Sequence, residues 1–172
     1  MEGLIGTLLK VMRLDAGSVP FERGIYTMQE LVLRSTEELT TRAQREGKHI
    51  RFDGPPEERI FCDLAWTSEV VGNLVKNALD HTEMGGEVCL SWQRSPLTLR
   101  LSVEDNGSGI PPEELPHIFK RFYRGKSSQT KQGVGLGLPL AKSIVEGQDG
   151  VLTVQSTPGR GTIFTLSFLT KT

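Results

Sequence analysis

Apolar positions recur along this chain at two periods, and the switches between them mark out the elements. Leu4, Ile5, Leu8, Leu9 and Met12 follow a helical spacing within residues 1–15, and the pattern stops at Ala16-Gly17. A helix this short is not stable alone, so its stripe must pack on something. Gly17 to Pro20 reads as a turn or linker. A short extended piece, Gly24–Thr27, leads into one expected helix with Leu31, Val32, Ser35, Leu39 and Ala43 on or near one face. Two short strands, His49–Asp53 and Arg59–Cys62, flank Gly54-Pro55-Pro56.

The longest helical pattern runs from about Leu64 to His81 and places Val70, Val71, Leu74, Val75 and Ala78 inside. Period-two alternation over Glu87–Gln93 and Thr98–Glu104 predicts a hairpin about Ser95-Pro96. A brief helix follows Pro111-Pro112. From Lys120 to Gln132 the chain is basic, hydroxyl-rich and without apolar periodicity, which reads as a mobile loop. Leu136 to Val145 is helical, and Val151–Ser156 with Thr162–Phe168 forms a closing hairpin about Pro158-Gly159. Helices interspersed with hairpins predict a two-layer α/β sandwich, with a mixed, mainly antiparallel sheet on about three helices. There are no internal repeats.

Composition narrows the function classes. At 172 residues, 37% apolar, the chain is one domain of ordinary size with enough apolar side chains for a real core. A net charge of -1 lacks the excess of Lys and Arg that nucleic-acid binding requires. Cys62 and Cys89 have neither metal-ligand nor disulfide-framework spacing and read as reduced packing residues of a cytosolic protein. No apolar run approaches the roughly 18 residues of a membrane span, and no signal peptide is visible.

Candidate chemistry lies in four segments. In NLVKNALDHT (Asn73 to Thr82), Asn73 and Asn77 are four apart and share a helix face with Asp80, His81 and Met84. An amide oxygen is a hard, neutral ligand suited to Mg²⁺ that bridges triphosphate oxygens; two Asn on a helix also fit a solvent-facing or capping pair. DNGSGI (Asp105 to Ile110) lies at a strand end. Its carboxylate is an acceptor for the exocyclic amine of adenine, and its glycines let a flat base approach the backbone. Alone, it also reads as an ordinary Asp-Asn-Gly turn. IFKRFYRG (Ile118 to Gly125) begins the basic stretch with Arg121, Arg124, Lys126 and Lys131, either closing over a γ-phosphate or simply solvated. GVGLGL (Gly133 to Leu138) opens a helix, where backbone amides form an anion site. The polar Ser127 to Gln132 excludes a Rossmann fingerprint, and Lys142-Ser143 after Ala141 excludes a Walker loop.

In this order the four segments resemble the asparagine, first glycine, phenylalanine and second glycine boxes of bacterial sensor histidine kinases. That family shares its ATP-binding fold with gyrase, mismatch-repair and heat-shock ATPases. The resemblance extends to LLKVMRLDAG, like the end of the second dimerisation-hairpin helix, and to VLTVQSTPGRGTIFTLSF, like the final hairpin of the catalytic domain. It implies a hairpin-helix tail over residues 1–16, a linker over 17–22 and a catalytic, ATP-binding domain over 23–172, with a lid at about 120–132.

Residue by residue, the resemblance implies that Asn77 ligands Mg²⁺, with Asn73 as a second polar contact. Asp105 would read adenine, with Gly107 and Gly109 lining its pocket and His81, Ile110, Phe119 and Tyr123 completing the nucleotide surface. Arg124 would meet the γ-phosphate beside Lys126 and Lys131, while Gly133, Gly135, Leu136 and Gly137 wrap the phosphates. Asn77 and Arg124 are the residues implied to carry catalysis. The chain departs from the pattern at Asp80, where the family often has Lys, at His81, often Tyr, and at Val134, usually Thr or Ser. A carboxylate near a triphosphate is repulsive by roughly 1–4 kcal/mol, depending on screening.

The family's phosphoacceptor is a histidine followed by an acid, but His49, His81 and His117 are followed by Ile50, Thr82 and Ile118. The chain therefore looks like a catalytic piece of a longer, membrane-bound sensor, lying on its cytoplasmic side. Its implied reaction is γ-phosphoryl transfer from Mg·ATP to a histidine on a separate dimerisation domain, for onward transfer to a response regulator. The piece alone is expected to be monomeric and the full-length kinase homodimeric. Three other readings are an ATPase-gated machine, a serine protein kinase of the same fold, and a nucleotide-binding regulatory module without catalysis.

Overall fold

A computed structural model describes residues 3–123 and 136–170. Among the described residues the helices are α1 (Leu4–Asp15), α2 (Met28–Thr36), α3 (Leu39–Arg45), α4 (Leu64–His81) and α5 (Gly137–Gly147), and a 3-10 turn spans Leu115–His117. The strands are β1 (Gly24–Thr27), β2 (His49–Asp53), β3 (Arg59–Cys62), β4 (Glu87–Arg94), β5 (Thr98–Asp105), β6 (Val151–Thr157) and β7 (Gly161–Leu169). Five strands form one sheet in the order β2-β4-β5-β7-β6, parallel only between β2 and β4. Helices cover one face of it, so the two-layer α/β sandwich expected from the sequence is the architecture observed. Among the described residues no helix is long and apolar enough to cross a membrane.

Alternation sets the sheet's faces. Along β5, Leu99, Leu101, Val103 and Asp105 are buried while Arg100 and Glu104 are exposed, and β7 buries Phe164, Leu166 and Phe168 in step with them. These side chains meet the apolar face of α4, where Val70, Val71, Leu74, Val75 and Leu79 have no exposed surface. Asp63 caps α4, accepting from the Trp66 N–H at 3.1 Å and the Glu22 N–H at 2.8 Å. Buried Gln148 ties the end of α5 to the start of α4, accepting from the Asp63 N–H at 2.7 Å and donating to Thr67 Oγ1 at 3.1 Å.

One expectation needs correcting, and two placements lie beyond what the periodicity predicted. The single helix through Leu31 and Ala43 is two, α2 and α3. Ser35 and Thr36 turn their hydroxyls back onto the Leu31 and Val32 carbonyls at 2.6 and 2.8 Å, a bonding pattern that bends helices. The strands flanking Gly54 do not share a sheet: β2 joins β4, whereas β3 pairs with β1 in a separate ribbon. Finally, the apolar stripe of α1 does not face the domain. Val11, 1% exposed, and Leu14 pack inward, while Leu4, Ile5, Leu9 and Met12 are exposed. Polar contacts hold α1 down: Lys10 meets Glu69 at 3.2 Å, Ser143 Oγ donates to Asp15 at 3.1 Å, and Asp15 pairs with Arg121.

Both cysteines are free and buried, and burial raises the Cys62 thiol to about 11, as expected of packing residues.

Candidate functional site

His81, at the end of α4, comes close to Asp105 and Gly107, at the end of β5. Asn73, Asn77, Asp80 and His81 run along one partly buried stripe of α4. Asp105 ends β5 and is 5% exposed. Its Oδ1 accepts the Gly107 N–H at 2.9 Å, and a backbone bond from Thr162 reaches it from β7. Burial nevertheless pushes this carboxyl above the ordinary aspartate value, opposed by those two backbone bonds and by nearby His81. An ionised acceptor kept this dry, with only part of its bonding capacity used, is suited to a neutral donor such as an aromatic amine.

The sign of that shift gives a pH prediction. Adenine's amine bonds the carboxylate form, so affinity is full above the raised value and falls as pH drops through it. The fall begins at higher pH than for an ordinary aspartate. Adenosine, which has no phosphates to titrate, is expected to weaken in this window by calorimetry. A pH-independent affinity down to the ordinary aspartate range contradicts the role of Asp105.

The structure gives the two glycines of DNGSGI a reason beyond the one read in the sequence. A Cβ on Gly107 would stand 2.1 Å from the His81 carbonyl oxygen, and one on Gly109, with φ +77°, 2.4 Å from the Thr157 carbonyl oxygen. Their space is filled by the protein's own backbone. The glycines let this loop wedge between α4 and the β6–β7 hairpin, and the close approach they permit is that of chain to chain.

Sequence reasoning missed the hairpin's share of the site. The Ile110 N–H donates to Ser156 Oγ at 2.7 Å, and that hydroxyl bonds the Gly161 carbonyl at 3.0 Å and Thr162 Oγ1 at 2.9 Å. Gly161, at φ +128°, leaves a would-be Cβ 1.9 Å from the Asp105 carbonyl oxygen. The only available signal was the GRGT turn before β7.

Other predicted residues are placed less centrally. Phe119 packs edge-on to Phe164 with ring centroids 6.3 Å apart, and Tyr123 lies 5.6 Å from the His117 ring and donates to Glu114 at 3.3 Å. Leu136 is buried just before α5. Gly137 opens that helix without any side-chain cap, and nothing among the described residues lies within 4 Å of its would-be Cβ. Arg124, Lys126, Lys131, Gly133 and Gly135, and the predicted lid beyond Tyr123, lie outside the described residues.

A cavity of about 550 Å³ opens beside these elements, lined by Asp80 to Gly86 and by Asn106, Gly107 and Ser108. Its size suits a small ligand such as a nucleotide. It shares His81 and Gly107 with the predicted site, but Asn73, Asn77 and Asp105 do not line it.

A family profile described as "Histidine kinase-, DNA gyrase B-, and HSP90-like ATPase" matches residues 62–172, which contain α4, β5 and the β6–β7 hairpin. The chain belongs to that ATPase family. "Sensor histidine kinase YvrG" of Bacillus subtilis (strain 168) is 32% identical over 98% of this chain and 29% of its own length. "Signal transduction histidine-protein kinase/phosphatase MprB" of Mycolicibacterium paratuberculosis is 37% identical over 91% of this chain and again 29% of its own. The crystal structure of full-length ShkA in complex with AMPPNP superposes at TM-score 0.83 and 25% identity, over 95% of this chain and 34% of that one. The chain spans less than a third of the length of each of these two curated relatives.

Proposed function

We propose that this domain binds Mg·ATP and passes the γ-phosphoryl group to a histidine on a dimerisation domain of the same full-length kinase, for onward transfer to a response regulator. The observation that carries the reading is Asp105: a buried, partly satisfied carboxylate at a strand end, facing the helix of Asn77 and His81. A carboxylate accepts adenine's amine and repels guanine's carbonyl. In the reaction a neutral imidazole nitrogen attacks the γ-phosphorus with its lone pair. The N–P bond forms as the bond to the bridging oxygen breaks, and ADP leaves. Such transfer is governed by positioning and charge stabilisation.

The donor set fits magnesium. Asn77 offers one neutral amide oxygen on a half-buried helix face. A single hard, neutral donor suits an ion held mainly by phosphate oxygens and water. Bound there, the ion would supply neutralisation of phosphate charge; Asn77 would hold it and Asn73 would give a second polar contact. Arg124, with Lys126 and Lys131, would face the γ-phosphate from the basic stretch, and Gly133, Gly135 and Gly137 would give the phosphates backbone amides. Asn77→Ala is expected to weaken the Mg-dependent part of ATP binding roughly 10–100-fold, and Asn73→Ala less. Metal-free adenosine binding should survive both changes. Identical magnesium titrations for wild type and Asn77→Ala would refute the assignment.

We assign residues 1–16 to the tail of a dimerisation-hairpin helix, 17–22 to a linker and 23–172 to the catalytic domain. Support comes from α1, whose Leu4, Ile5, Leu9 and Met12 are exposed among the described residues. An apolar stripe of that kind suits partner helices in a homodimeric kinase. The placement of this domain on the cytoplasmic side of a membrane sensor belongs to the same reading.

A further inference from the structure

Asp80 is an anomaly on a face that is to receive a triphosphate: it lies on the stripe of Asn73, Asn77 and His81 and lines the cavity. The fold supplies an answer from a different helix. Arg42 of α3 donates from Nη2 to Asp80 Oδ1 at 2.6 Å, and from Nε to Glu46 at 2.8 Å. Lys48, its side chain 9% exposed, closes the group, donating to Glu46 at 2.8 Å and to the Leu79 carbonyl at 2.6 Å. Two cations and two carboxylates thus form one continuous network across the end of α4. Arg42 and Lys48 hold Glu46 down at about 2 by those same bonds, so Glu46 is a carboxylate at neutral pH. The Arg42 and Asp80 side chains keep 22% and 25% of their surface, so the pair is neither dry nor freely solvated.

We propose that Arg42 is a positioning and charge-masking residue for the nucleotide: it neutralises Asp80 and holds its carboxylate toward α3, making the α4 face compatible with polyphosphate. The proposal rests on the ATP reading and adds a residue outside all four sequence boxes. It assigns Asp80 no contact with nucleotide. A charge left bare at this position would act through solvent, so its effect should scale with ligand charge and fade with salt. Loss of a merely structural tie between α3 and α4 would instead weaken all adenine ligands alike.

The test measures affinities of ATP, ADP and adenosine, without magnesium, by calorimetry for wild type, Arg42→Gln, Asp80→Asn and the double variant, with melting temperatures recorded for each. Arg42→Gln should weaken ATP roughly tenfold and ADP less, leave adenosine unchanged, and lose its effect at high salt. The double variant should return ATP to within about twofold of wild type, because the charge needing a mask is gone. Asp80→Asn alone should bind ATP at least as tightly as wild type, a comparison that stands even if Arg42→Gln fails to fold. Equal losses for adenosine and ATP, a double variant as weak as Arg42→Gln, or weakened ATP binding in Asp80→Asn each overturn the proposal. A wild type that binds none of the three ligands overturns the ATP reading itself, and this inference with it.

Discussion

Asp105→Ala is expected to weaken ATP binding roughly 10–150-fold, the range that corresponds to losing a hydrogen bond to a charged group. The cost is concentrated there because the carboxylate is buried and already oriented by the Gly107 and Thr162 backbone bonds, so no reorganisation precedes binding. Asp105→Asn is the more telling change. Its amide oxygen can satisfy the Gly107 N–H, which leaves an NH₂ group facing the base. That group opposes adenine's amine and suits guanine's carbonyl, so the ratio of ATP to GTP affinity should fall or invert. Calorimetry with both nucleotides reads this directly. An Asp105→Asn protein with the wild-type preference would show that the base is recognised elsewhere.

The largest stability effects are expected at glycines that the protein's own backbone crowds. Gly107→Ala drives a methyl group into the His81 carbonyl, and Gly161→Ala drives one into the Asp105 carbonyl at a φ of +128°. Backbone on both sides leaves little room to relax, so overpacking should cost each roughly 1–3 kcal/mol, and the disfavoured dihedral at Gly161 adds roughly 1–2 kcal/mol there. Gly137→Ala is the internal control. Its Cβ enters open space at the start of α5, and alanine is the better helix former, so stability should hold or rise by up to about 1 kcal/mol. Urea denaturation of the three variants separates these cases. A Gly107→Ala protein as stable as Gly137→Ala would mean that the loop does not wedge against α4.

Much of the fold was legible because its elements are locally determined. The β4–β5 and β6–β7 hairpins alternate on one buried face, and their strands came within a residue or two of the observed ends. Pairing between distant segments carries no such periodicity. Nothing local told β3 to take β1 as its partner, and the amphipathic pattern of α1 could not say that Val11 would be its inward anchor. The α2–α3 break was hidden for another reason: it follows from hydroxyl bonds at Ser35 and Thr36, not from a missing apolar position.

The site divides along the same line. Asn77, His81 and Asp105 were readable because each sits in a short motif on one element. Ser156, Gly161 and Thr162 join only after β7 pairs with β5, which sets Thr162 opposite Asp105. Asp80 taken alone seemed hostile to phosphate. Its partner Arg42 lies 38 residues away on another helix, a distance over which no sequence pattern announces an ion pair.

The central claim is tested most directly by mixing this chain with a separately made dimerisation hairpin of the full-length kinase and labelled ATP. Acid-labile phosphohistidine should appear on the hairpin, and its yield should rise with hairpin concentration, because the link that normally supplies a high effective concentration is absent. The chain alone should stay unlabelled, since His49, His81 and His117 are each followed by Ile or Thr instead of an acid. Stoichiometric label on the isolated chain, or an unlabelled hairpin in the presence of bound Mg·ATP, would contradict the assignment.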